Sequence, residues 1–146
     1  MIVRVDGVPA PKGSARAIKR GGFAVLVASS SDANKRAQKS WSDAVAWAAK
    51  AAMAGSPPLD GPVGVSVTFR MPRPPSVRRM LPEVKPDVDK LLRSTFDALS
   101  GIAFADDAQV VSVVAVKLYA FDGRPGASIE VYRYPRPAEP ARSNER

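Results

Sequence analysis

The chain has 146 residues, 22 Lys and Arg against 14 Asp and Glu, a formal net charge of +8, and neither His nor Cys. That length builds one compact domain with a real core. Without His or Cys there is no imidazole base, thiolate nucleophile, disulfide, zinc ribbon or iron–sulfur ligation. Ser-His-Asp hydrolysis, cysteine proteolysis and zinc hydrolysis are therefore ruled out. Any bound metal must be held by oxygen, which selects a hard cation such as Mg2+ or Mn2+. Residues 135–146 hold three Arg and two Glu, so almost all of the excess charge sits on the body. A body this basic draws polyanions, nucleic acid ahead of membranes or acidic proteins. No apolar run approaches the roughly 20 residues of a membrane span, and the N-terminal residues lack a signal-peptide layout. The expected location is cytoplasmic, with no membrane partner.

Residues 2–8 are rich in β-branched side chains and read as a strand. Pro9 to Gly22 carries Lys12, Arg16, Lys19 and Arg20 among Pro and Gly, and Phe23 to Ala28 reads as a second strand, so this region is a basic hairpin or arm. From Ser31 to about Met53, Ala33, Ala37, Trp41, Ala44, Val45, Ala48 and Ala52 recur at three- and four-residue steps. That is an amphipathic helix with Ser31 or Asp32 as N-cap, Gly55 beyond its end, and both Trp41 and Trp47 as packing residues. Val63, Val65, Val67 and Phe69 alternate with small polar residues, which predicts a half-buried strand. Five prolines between Met71 and Pro86 forbid a regular element there. Val88, Leu91, Leu92, Thr95, Phe96 and Leu99 form one helical stripe that Gly101 stops. Val110 to Tyr119 is apolar on both alternating sets, which predicts a central strand covered on both faces. Asp122 to Gly126 turns the chain into a last strand, Ala127 to Tyr134. The expected fold is a single α+β domain over 1–134, a mixed sheet packed by two main helices, followed by a disordered tail at 135–146.

Five acids, Asp87, Asp89, Asp97, Asp106 and Asp107, fall within 21 positions directly after the most basic loop. Carboxylates placed there would repel a polyanion unless a divalent cation stood between them. Two residues apart on a helix point about 200° away from each other. Asp87 and Asp89 can therefore converge only if Pro86 starts the helix so that Asp87 is its non-helical N-cap. Of Asp106 and Asp107, adjacent in extended chain, one at most completes a site. Structural readings stand beside these. Asp87 can be a plain cap, Asp89 a dipole-favoured acid paired with Arg93, Asp106 and Asp107 a loop pair, and Lys117 a cation at a sheet end.

Residues 85–111, with KPDVDKLLR, FDALSG and DDAQVV in register and Lys117 following, closely resemble the RusA family of phage and prophage Holliday junction resolvases. Gly7 to Arg16 adds a weaker likeness to the family's basic N-terminal segment. The resemblance implies a homodimeric, Mg2+-dependent endonuclease that cuts four-way DNA junctions symmetrically. It places the essential, metal-binding aspartates on Asp87, Asp89 and Asp107. Arg93 stands where the family often has a lysine, and Lys90 where other members have asparagine. Arginine cannot exchange a proton, so Arg93 would act on the phosphate electrostatically. Lys12, Arg16, Arg73, Arg78, Arg79, Lys85, Lys90 and Lys117 are the candidate DNA contacts. Two other classes remain open: a non-catalytic basic DNA-binding module, and a metal-dependent phosphohydrolase acting on nucleotides.

Overall fold

A computed structural model of the chain describes residues 1–13, 15–28 and 31–138, and of 15–20 and 23–28 it describes the backbone. The last eight residues of the expected tail lie outside the described residues, and 135–138 have no regular structure. The architecture is α+β, one mixed sheet with two helices, as the sequence predicts.

Ile2–Asp6 is β1, Ala15–Arg20 and Phe23–Ala28 are β2 and β3, and Asp32–Met53 is α1. Val63–Met71 is β4, Val88–Leu99 is α2, Asp107–Gln109 is a single 3-10 turn, and Val110–Tyr119 and Gly126–Arg133 are β5 and β6. The main sheet runs β1-β6-β4-β5. Pairing is antiparallel for β1 with β6 and for β6 with β4, and parallel for β4 with β5. A parallel pair needs a crossover, and α2 supplies it. Consequently α2 starts at the end of the sheet where β4 and β5 finish.

β2 and β3 form a separate hairpin, paired from Ala15 with Ala28 to Arg20 with Phe23. Its two-residue turn is Gly21-Gly22, with φ of 56° and 84°, values a glycine pair adopts without strain.

Both helices lie on one face of the sheet. Val63, Val65, Val67, Phe69 and Met71 of β4 bury against Trp41, Val45 and Ala49 of α1 and Leu91 and Leu99 of α2. Trp41 meets Phe69 at 6.5 Å between ring centroids. One polar link crosses this core: the Trp41 indole Nε1 donates to Thr95 Oγ1 at 3.3 Å, and that hydroxyl donates to the Leu91 carbonyl at 2.9 Å. Thr95→Val keeps the shape but orphans the indole N–H. A loss of about 1–3 kcal/mol in a denaturant titration is expected, against near neutrality if the link is idle.

On the opposite face the Tyr132 ring lies over Gly64, 2.3 Å from where a Cβ would stand, so only glycine fits there.

Two sequence expectations change. β4, read as half-buried, is flanked by strands on both sides, whereas β5, read as central, is the sheet's edge. Val111, Val113, Val114, Val116 and Leu118 are all exposed, Val114 by 58%. Trp47, read as a packing residue, is 78% exposed on the outer side of α1, while Trp41 is buried as predicted. Among the described residues no helix is long and apolar enough to cross a membrane.

Candidate nucleic-acid interface and carboxylate site

The helix α2 begins where Pro86 allows it. Asp87 is the N-cap with extended φ −69° and ψ 143°, as the spacing requires, and Asp89 lies in the first turn. The plain capping role is not realised, because the Asp87 carboxylate makes no cap hydrogen bond. It stands 3.9 Å from Lys90 Nζ and is otherwise exposed. Asp89 and Arg93 are exposed too, and among the described residues the ion pair expected between them does not form. Both side chains are therefore available.

A cleft of about 680 Å³ opens beside this helix start. Lys12, Arg79, Lys85, Lys90 and Lys117 line it with a single acid, Asp87. Asp89, Arg93 and Asp107 lie outside that lining. Lys12 bridges to Asp97 on α2 at 2.7 Å, and its backbone N–H donates to the Lys90 carbonyl at 3.1 Å. The Gly13 N–H donates to Gln38 Oε1 on α1 at 3.2 Å. The root of the hairpin is thus stitched to both helices.

Arg79 Nε donates to the Tyr119 hydroxyl at 2.7 Å, and the Arg73 guanidinium lies 5.2 Å from the Phe121 ring centre and 6.0 Å from that of Tyr119. These contacts hold two arginines of the proline loop against the end of β5. Arg78 and Lys85 are exposed. Lys117 Nζ donates to the carbonyls of Val84 at 2.7 Å and Pro86 at 2.8 Å. The Arg16 side chain lies outside the described residues. Tyr119, which holds Arg79, and Gln38, which holds the Gly13 backbone, carried no sequence signal, since each acts through a partner more than 20 residues away.

The 3-10 turn separates the acid pair. Asp106 is a working cap: its carboxylate accepts from the Ala108 N–H at 2.8 Å, and Gln109 Oε1 accepts from the Asp106 N–H at 3.0 Å. Asp107 is exposed and bonded to nothing among the described side chains. Gln109 Nε2 fastens this turn to the carbonyls of Leu59 and Gly61, both at 2.9 Å. Nearby, the Arg133 guanidinium hydrogen-bonded to Asp60 holds that carboxyl below the usual carboxylate range.

The structure brings Asp87 and Asp89 together at one end of β5, where Lys117 holds their loop, and leaves Asp107 at the other. Val110 and Lys117 are seven residue steps apart along the strand, about 23 Å at strand rise. Among the described residues of one chain, no three acids stand close enough to share an ion. Asp87 and Asp89, exposed at the N-cap and in the first turn, are the residues here that could hold a hard cation, which commonly takes one or two protein carboxylates and fills its other positions with water or substrate oxygens.

The fold is thus a mixed sheet with both helices on one face, carrying a cation-lined cleft that has Asp87 in its lining. The model of the endodeoxyribonuclease RusA family matches residues 6–132, nearly the whole chain. The chain belongs to that family. It is also 32% identical over 78 residues to the uncharacterized protein YqaN of Bacillus subtilis (strain 168), a match covering 45% of this chain and 55% of that relative. The chain thus spans about half the length of that curated relative.

Proposed function

We propose that the chain is a Mg2+-dependent endonuclease that resolves four-way DNA junctions by paired, symmetric cuts, working as a homodimer in the cytoplasm. The carrying observation is an exposed Asp87 in the lining of a cleft that five described cations share, with Asp89 exposed two residues further on, in a member of the RusA family. Its domain comprises residues 1–134. Carboxylates beside a phosphate-attracting cleft carry an electrostatic cost that a divalent cation removes.

Asp107 is the third acid, and β5 explains how it joins. An exposed edge strand with five apolar side chains invites pairing with another strand. Two copies pairing β5 to β5 antiparallel about a twofold axis set the Asp107 of the partner subunit against the Asp87–Asp89 end of the first chain. The same pairing gives β5 a neighbouring strand on each edge, as an interior strand has. One dimer then holds two identical sites, the number that paired incision of a junction needs.

When bound, Mg2+ lowers the pKa of water and stabilises charge developing on the phosphate. Asp87, Asp89 and the partner's Asp107 would hold it. Arg93, one turn beyond Asp89 and always protonated, neutralises the attacked phosphate. Lys12, Arg16, Arg73, Arg78, Arg79, Lys85 and Lys90 hold flanking backbone, so binding is salt-dependent and largely indifferent to base sequence.

Purified protein incubated with a four-way junction and with linear duplex, in Mg2+, in Mn2+ and in EDTA, tests the reading. Paired nicks on the junction alone, absent in EDTA, are expected. Binding without nicks in any metal would identify a DNA-binding module instead, and turnover of nucleotides without junction binding a phosphohydrolase.

A further inference from the structure

We propose that Lys117 is a positioning residue: its ammonium pins the loop that delivers Asp87 and Asp89 to the end of β5, and it does not grip DNA. This rests on the nuclease reading above and deepens it. Lys117 stands on β5 opposite Phe69 of β4, on the helix-covered face, with its side chain half-buried. Two of its three N–H donors are engaged by the carbonyls of Val84 and Pro86. Pro86 immediately precedes the N-cap Asp87, and the Asp87 carbonyl accepts the first helical bond, from the Leu91 N–H at 3.2 Å. One cation therefore fixes Val84 and Pro86, both within three residues of Asp87, to the sheet.

The segment is suited to such an anchor. Residues 72–87 carry no helix or strand, and although Pro82 is buried, Leu81 and Val84 on either side of it are exposed, so the last residues before the acids have little apolar packing of their own. An ammonium shared between two carbonyls is a directional clamp, and a clamped first turn keeps Asp87 and Asp89 in one geometry before substrate arrives. Because Lys117 belongs to the strand proposed to pair with its partner, the clamp also refers both acids to the dimer edge, where Asp107 of the partner subunit arrives. With both carbonyls held, only the third N–H of the ammonium is left for any phosphate.

The test compares Lys117→Met, which keeps the aliphatic stem, with Lys117→Arg and with Lys85→Ala as a phosphate-contact control. Junction binding in EDTA is measured across a salt series. Lys117→Met should keep the parent slope of log affinity against log salt, whereas Lys85→Ala should flatten it by about 1. At saturating junction Lys117→Met should cut about 10- to 100-fold more slowly and need more Mg2+ for half-maximal rate, and Lys117→Arg should recover part of the loss. Hydrogen exchange over 83–91 should quicken in Lys117→Met with no metal or DNA present. A slope flattened by about 1, or parent-rate cutting with unchanged exchange, overturns the proposal. Parent protein that cuts no junction overturns the nuclease reading instead, while the exchange measurement still decides whether the clamp exists. Lys117→Gln, which retains one donor group, replaces the Met variant if that one fails to fold.

Discussion

Asp89→Asn should bind a four-way junction as well as or better than the parent chain, and cut it on the order of 10³-fold more slowly. Asparagine keeps the shape of the side chain and removes its charge. A hard cation loses an anionic oxygen worth several kcal/mol of transition-state stabilisation, and about 1.4 kcal/mol is tenfold in rate. The cleft meanwhile loses an acid that repels phosphate, which is why binding holds or improves. Asp107→Asn should be as inactive as Asp89→Asn. Mixing the two inactive variants then separates the possible constructions of the site. If each site takes Asp89 from one chain and Asp107 from the other, every mixed dimer has one site with both substitutions and one with neither. Nicking returns, one cut per junction. If each site were built within a single chain, both sites of a mixed dimer would be damaged and nothing would return. Normal cutting by Asp89→Asn alone would end the metal assignment.

The second large effect concerns β5. Val114 is exposed near the middle of an edge strand, so replacing it by Lys costs the single chain little, within about 0.5 kcal/mol. In a β5-paired dimer the same change sets two cations against each other at the twofold axis. Val114→Lys should sediment as a monomer, unfold within a few degrees of the parent chain, and cut junctions at least about 100-fold more slowly. The chain has no cysteine, so Val114→Cys offers an unambiguous companion. Copies of one residue meet within disulfide reach, about 4.4–6.8 Å between Cα atoms, only close to a twofold axis. Oxidation should link two chains through residue 114 or an immediate neighbour. A monomeric parent protein, or a dimer that Val114→Lys leaves intact and active, would remove β5 from the site.

The helix carrying the acids was legible to its boundaries, because everything that specifies it is local. Pro86 marks the start, the stripe from Val88 to Leu99 gives the face, and Gly101, at φ 81°, ends the run. The position of Asp87 as N-cap followed from the same signals. The standing of β5 did not, for a physical reason. Periodicity reports which side chains must avoid water in the working assembly, and says nothing about which strands of the same chain provide the cover. Ten residues, eight of them apolar and spread over both alternating sets, read as an interior strand, yet the single chain leaves them at an edge. Trp47 was misjudged because it was assigned by residue type: its position, two after Val45, lies on the far side of the helix from the buried stripe. The roles of Lys117, Arg79 and Lys12 were invisible because a carbonyl, a phenol and a distant carboxylate hold them, partners that only the fold brings near. Asp106 and Asp107 are adjacent and chemically identical, and only the backbone of the 3-10 turn shows that the first is engaged in capping while the second is free.

Lys12 grips α2 twice, through its ammonium on Asp97 and its N–H on the Lys90 carbonyl, one near each end of the helix. The β2–β3 hairpin follows directly in the chain. A load applied to the hairpin tip is therefore shared between α1, through Gln38 on the Gly13 N–H, and α2, at two points separated by about 10 Å along its axis. The second of these paths ends on the helix that carries the carboxylates.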